Sequence, residues 1–207
     1  QYGYQANASV DDVLFVLHRL IEANTQSHMA PFLLLLMDWT KAFDKLHKDG
    51  IIHALQRMGI EGNLLDSIKT QLDDVFFRIR EGKLISDRHQ QLNGVKQGDP
   101  LSAYLYVLIL SVIFFDADKL FQTKCSTDMT LYLRYRGSDF KFRDLLYADD
   151  TQLFETDPIL LETYATCVIE LAEKYNVTPN WNKVNAIYFT NADVKTTQVT
   201  GISKKRS

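Results

Sequence analysis

Cysteine, proline and glycine are scarce in this 207-residue chain, at two, four and nine copies. Two cysteines, Cys125 and Cys167, exclude a disulfide framework and a zinc site of four cysteines. As two free thiols they point to a reducing, intracellular setting, with nucleus and cytoplasm not distinguished. Few glycines and prolines beside twelve Phe and ten Tyr exclude a collagen-like or disordered chain. Neither sign of charge dominates: 23 Lys and Arg against 26 Asp and Glu leave −3. That excludes a globally basic coat for nucleic acid, though not a locally basic channel. The longest apolar stretch, Ala103 to Phe115, is broken at Ser111 and closed by Asp116. It falls short of the ~20 residues that span a bilayer, so it reads as a buried helix and no membrane partner is expected. No secretory signal opens the chain. A first residue of Gln1 rather than Met suggests a fragment of a longer polyprotein.

What is present is ample for a core, with 46% of residues hydrophobic. No repeat or linker divides the chain, so one domain over residues 1–207 is expected. Ser9 with Asp12 resembles a capping box ahead of a helix carrying Val13, Val16, Leu17 and Leu20. The unbroken run Phe32 to Met37 reads as a strand buried on both faces, and Asp38 ends it. Asp49 is the expected cap of a short helix stopped at Gly59, and a second helix follows around Leu64 to Leu72. Alternation around Phe77 and Ile79 predicts a hairpin turning at Glu81-Gly82. Asp99-Pro100 and Asp157-Pro158 each place a cap before a helix-initiating proline. Between those helices, strands are expected over Leu131 to Arg136 and Phe140 to Tyr147, with a turn at Gly137-Ser138-Asp139. Asp149-Asp150 then forms the tip of a tight hairpin, and Ala186 to Phe189 is a last short strand. The expected class is α+β, an antiparallel sheet with helices on one face.

Three aspartates carry the chemistry. Asp38 closes a buried strand, and Asp149-Asp150 sit on a hairpin tip far along the chain. Adjacent carboxylates repel unless a cation intervenes. Mg²⁺ suits them, being hard, oxygen-seeking and content with one or two carboxylates plus substrate phosphates. Two such ions could activate an attacking hydroxyl and stabilise a leaving phosphate oxygen. A plainer reading makes Asp38 a turn cap and Asp149-Asp150 a solvated loop, since Asp favours turns.

The neighbours narrow the choice. Asp38-Trp39-Thr40-Lys41-Ala42-Phe43-Asp44 resembles motif A of reverse transcriptases in the form found in non-LTR retrotransposons. Gly94-Val95-Lys96-Gln97-Gly98-Asp99-Pro100-Leu101-Ser102 resembles motif B of that branch, and Tyr147-Ala148-Asp149-Asp150 resembles motif C. Asn180 and Lys183 are similar to the core of motif D, although Pro179 stands where an apolar strand residue is usual and Val184 where Ser or Thr is. Gln1-Tyr2-Gly3-Tyr4 with Asp11-Asp12 is similar to the segment preceding motif A. The likeness runs from Gln1 to about Phe189, and three motifs in order are far more specific than one.

The resemblance implies a right-hand polymerase palm with fingers elements that copies an RNA template into DNA from a DNA primer and dNTPs. Asp38, Asp149 and Asp150 would be the catalytic metal ligands for two Mg²⁺ ions, with Mn²⁺ as a substitute. Phe43 would be the aromatic gate against the sugar 2′ position, where a rigid ring rejects a hydroxyl by clash. Gln97 and Gly98 would lie against the incoming nucleotide and template base, and Lys183 near the triphosphate, where an ammonium can neutralise leaving pyrophosphate. Arg78, Arg80, Lys83, Arg88 and Lys96 would follow the template backbone, although acids share that stretch. The family's thumb would lie beyond Ser207. Two other readings stay open: an inactive retrotransposon remnant retaining the fold and weak nucleic-acid affinity, and an unrelated all-helical Mg²⁺ enzyme. Oligomeric state is not encoded legibly.

Overall fold

A computed structural model of the chain describes residues 1–26, 31–73, 75–125, 131–135, 138–190 and 193–202. The first helix, α1 (Val10–Gln26), begins on the expected reciprocal cap. The Ser9 amide donates to Asp12 Oδ2 at 2.7 Å, and the Asp12 amide donates back to Ser9 Oγ at 3.4 Å. The apolar run becomes β1 (Phe32–Met37), followed by a single turn α2 (Ala42–Lys45) and by α3 (Lys48–Arg57). His47, not Asp49, occupies the cap position of α3, with no side-chain bond; Asp49 lies in the first turn, where a carboxylate complements the helix dipole. Gly59 at φ +80 ends it, and α4 spans Gly62–Asp73.

Four two-residue strands follow: β2 (Phe76–Phe77) pairs with β5 (His89–Gln90), and β3 (Arg80–Glu81) with β4 (Leu84–Ile85). The hairpin therefore turns at Gly82-Lys83, one residue later than expected, because Glu81 is already paired with Leu84. The long helix α5 (Pro100–Lys124) starts where Asp99 accepts the Leu101 amide at 3.0 Å. It is long and apolar enough for a bilayer by composition, but Leu105, Ile109, Leu110, Ile113 and Phe121 are core residues.

The expected strand Phe140 to Tyr147 is two strands. β6 (Leu131–Tyr135) pairs with β7 (Ser138–Phe142) as a separate ribbon, while β8 (Asp144–Tyr147) joins the main sheet. The break is at Arg143, whose side chain turns into the core. Ser138 already pairs with Tyr135, and the turn positions 136 and 137 lie outside the described residues. β9 (Asp150–Glu155) leads to α6 (Pro158–Glu173), where Asp157 accepts the amides of Ile159 and Leu160. The last strands are β10 (Asn185–Phe189) and β11 (Val194–Gln198). β11 was not foreseen: all five residues are exposed, so no alternation marks it.

The main sheet is antiparallel in the order β11-β10-β1-β9-β8. Helices cover both faces, not one. Leu33, Leu35 and Met37 of β1 join the large core with α3, α5 and α6, while Phe32 and Leu34 join Val13 and Leu20 of α1 in a second core. That double burial explains the unbroken apolar run of β1. Cys125 and Cys167 are free thiols.

Candidate active site

The sheet order brings the three aspartates to one end. Met37, the last residue of β1, pairs with Thr151 of β9, so Asp38 leaves β1 at the sheet end where Asp150 begins β9. Tyr147 pairs with Asp150, leaving Ala148-Asp149 as a two-residue turn between β8 and β9. Ala148 has φ 54, and Asp149 is not among the positive-φ residues, the pattern of a type II′ turn in which glycine is usual. Burial, then the nearby Asp149 and Asp38 carboxylates, raise the Asp150 pKa above the ordinary carboxylate value, while Lys183 opposes them. The acids are thus within mutual electrostatic reach and short of positive charge.

Motif A is tied to its neighbours on both sides. Trp39 Nε1 donates to Thr151 Oγ1 at 2.9 Å in the buried interior. Thr40 N donates to Thr178 O and Asn180 N donates to Asp38 O, each at 2.8 Å, so Trp39 and Pro179 bridge as the non-hydrogen-bonded pair. A proline is accommodated there because no amide is called for at that position. Val184 is fully buried, so the hydroxyl residue expected there would lie in apolar core. Asn180 Nδ2 donates to Asp38 Oδ2 at 3.0 Å, and Lys183 Nζ lies 3.3 Å from the same oxygen. In the chain alone, the Asp38 carboxylate is held by the Lys183 ammonium.

Phe43, half-buried, stacks on Tyr106 of α5 at 4.6 Å between centroids. It lines a cavity of about 570 Å³ together with Tyr4, Gln97, Gly98, Pro100 and Tyr104. Gln97 Nε2 donates to Asp44 Oδ1 at 3.4 Å. Gly94 docks this loop on motif A. A Cβ there would lie 2.5 Å from Asp44 O and 2.6 Å from Phe43 O, and its φ is +81. The Gly94 and Val95 amides donate to Leu46 O and Phe43 O. Gly98, at φ +86, faces open space.

Among the described residues, no three Asp, Glu, His or Cys side chains are arranged to hold a metal ion unaided. The donor set still fits a hard divalent cation, because such ions take one or two carboxylates and complete their shell with water and phosphate oxygens. An Asp150 carboxyl raised by burial and its acidic neighbours, beside an Asp38 that draws in an ammonium, is the environment such an ion relieves.

Two contributors had no local signature. Tyr106 reads as one more apolar position of α5, yet its buried hydroxyl has no hydrogen-bond partner. Burial first, then Asp149 and Asp38, raise its pKa, so the phenol remains a neutral donor. The second is Gln1, whose side chain contacts the Ala148 peptide. The hairpin region carries exposed Phe76 and Phe77, with Arg88 stacked 3.8 Å over Phe76.

Sheet, helices and acidic turn define a polymerase-type fold. Telomerase structures share it: the apo enzyme of Candida tropicalis truncated from the C-terminal domain superposes with TM-score 0.62 at 15% identity, over 91% of this chain and 40% of that one. Candida albicans telomerase in complex with a TWJ fragment of telomeric RNA gives 0.63 at 15% identity, over 96% of this chain and 34% of that one. The reverse transcriptase (RNA-dependent DNA polymerase) family profile matches residues 1–203, and the chain belongs to that family. Two matches to the retrovirus-related Pol polyprotein of type-1 retrotransposable element R2 from Popillia japonica place it on the non-LTR side. One is 35% identical over 128 residues and the other 30% over 119, covering 61% and 58% of this chain. The chain spans only 17% and 18% of those relatives' length.

Proposed function

We propose that the chain is the palm and fingers portion of an RNA-directed DNA polymerase, one domain that extends a DNA primer along an RNA template. The primer 3′-hydroxyl attacks the α-phosphate of a dNTP, a phosphodiester forms, the hydroxyl proton is lost and pyrophosphate leaves. The observation that carries this reading is the gathering of Asp38, Asp149 and Asp150 at one sheet end with Lys183 as counter-charge.

Asp38 and Asp149 would hold the divalent ions, two Mg²⁺ or Mn²⁺, and Asp150 would assist. Bound there, the ions supply charge neutralisation and a more acidic attacking hydroxyl. Phe43, braced by Tyr106, closes the pocket wall against a ribose 2′-hydroxyl. The amide of Gln97 and the bare backbone of Gly98 present the nucleotide and template base with donor, acceptor and room. Lys183, released from Asp38, carries its ammonium to the departing pyrophosphate. Arg78, Arg80, Lys83, Arg88 and Lys96 meet the template phosphates, and exposed Phe76 offers a stacking face for an unpaired base.

Asp149→Asn tests the assignment. Primer extension on an RNA template with Mg²⁺ should fall below detection, and unchanged extension would refute the reading. A specific observation supports the alternative of an inactive remnant: Lys183 already neutralises Asp38 in the chain alone. Mg²⁺-dependent dNTP binding by the chain separates the two, since a remnant shows none.

A further inference from the structure

The Gln1 side chain makes three hydrogen bonds, two to the acidic turn and one to its own segment. Oε1 accepts the Gly3 amide at 2.8 Å and the Ala148 amide at 3.0 Å, while Nε2 donates to Ala148 O at 3.2 Å. The Tyr2 amide donates to Leu146 O at 2.7 Å, so residues 1–3 run beside β8, the edge strand of the sheet. Contact is too close for any side chain on Gly3: a Cβ there would lie 2.2 Å from Ala148 N.

The clamped residue is also the strained one. Ala148 at φ 54 holds a positive-φ conformation that strains a non-glycine residue. Such strain persists where surroundings over-determine it. Here one amide engages both polar groups of Ala148, immediately before Asp149 and Asp150. We propose that Gln1 is a positioning residue of the active site, fixing the Ala148 peptide and through it the directions of the Asp149 and Asp150 carboxylates. The contact itself stands on geometry; its catalytic meaning rests on the polymerase reading above.

The residue type follows from the contacts. A neutral amide on this long side chain both accepts from two N–H groups and donates to a carbonyl, which an ionised carboxylate cannot do. A carboxylate at the same place would keep the acceptors, face Ala148 O without a proton, and add charge beside acids that already repel. Leucine or methionine would fill the space and leave three backbone groups unsatisfied.

The test uses amide hydrogen exchange followed by NMR, with Mn²⁺ affinity measured by EPR, on the chain carrying a short neutral leader that keeps Gln1 internal. Gln1→Met should speed exchange at Ala148 roughly tenfold, the loss expected for one hydrogen bond, while Leu153 in mid-strand β9 stays unchanged. Gln1→Glu, which retains the acceptor, should restore protection at Ala148. Mn²⁺ affinity should fall severalfold in Gln1→Met. Equal exchange at Ala148 in Gln1→Met and the parent overturns the clamp. Faster exchange at Ala148 and Leu153 alike overturns it too, marking Gln1 as general scaffolding. Faster exchange at Ala148 alone with unaltered Mn²⁺ affinity overturns the positioning role. If the parent binds Mn²⁺ no better than an Asp149→Asn, Asp150→Asn variant, it is the polymerase reading that fails, and exchange still decides the clamp.

Discussion

The β8–β9 hairpin carries carboxylates at both ends, and the two ends treat them differently. At its base, Arg143 is 7% exposed and Glu155 1%. The Arg143 guanidinium meets Asp118, lies 3.7 Å from Glu155 and stacks over Phe121 and Tyr164. Asp144 accepts the Tyr164 hydroxyl at 2.6 Å. At its tip, Asp149 and Asp150 join Asp38, and the counter-charge is Lys183, whose side chain is 65% exposed. Acids at the base face groups of the chain itself, although Glu155 Oε1 and Arg143 Nε are left without hydrogen-bond partners; those at the tip are under-matched and open to solvent. The first arrangement holds a fold together, and the second suits a cation brought from outside.

The largest expected effect breaks the base. Arg143→Met leaves Glu155 and Asp118 without their guanidinium and should lower unfolding free energy by about 3–5 kcal/mol, read from urea denaturation. Asp149→Asn at the tip removes one of three repelling charges and should leave stability level or slightly raised. If the tip substitution proved the more destabilising, the contrast between the two ends would be wrong.

A smaller effect sharpens the contrast through pH. Burial pushes Glu155 up to about 7, against its usual 4.5, and Arg143 only partly offsets this. The folded chain therefore holds that proton more tightly than the unfolded chain. The resulting stabilisation is present below the ordinary carboxylate range and is lost as pH rises from about 4.5 through 7. Glu155→Gln should flatten that slope, matching the parent at pH 4.5 and exceeding it by on the order of 1–2 kcal/mol at pH 8. Thermal melting across the range checks it; a parallel pH dependence in both proteins would place the titrating group elsewhere.

Which of these features sequence could disclose follows from how local their causes are. The caps at Ser9, Asp99 and Asp157 each act within three residues, and all three form. The tight hairpin is equally local, although its turn falls on Ala148-Asp149, one residue earlier than expected, because Asp150 is already paired with Tyr147. Motif A and motif C were legible as residues, but that β1 lies between β9 and β10 is a pairing between distant segments that no short window encodes. Helices were expected on one face because the α1 stripe says only that it packs, not against which side of β1. Arg143 looked like one residue of a continuous strand; its inward turn depends on Glu155, Asp118 and two aromatic rings from α5 and α6. The Gln1 amide and the Tyr106 hydroxyl acquire meaning only against groups far along the chain.

The finest test asks whether Lys183 stands in for a metal ion at Asp38. A partly exposed pair of this kind contributes at most about 1 kcal/mol, so Lys183→Met should barely lower the melting temperature of the metal-free chain. Asp38 would keep the Asn180 amide and lose the ammonium 3.3 Å away. A divalent ion would then enter without displacing a cation, so Mn²⁺ should bind severalfold more tightly and raise the melting temperature more than in the parent. Arg143→Met offers the matching control, because Glu155 is sealed in the core, out of reach of Mn²⁺, which should not rescue it. Weaker Mn²⁺ binding by Lys183→Met would mean that the ammonium assists the acids rather than competing for them, and the tip would then draw its partner charge from within, as the base does.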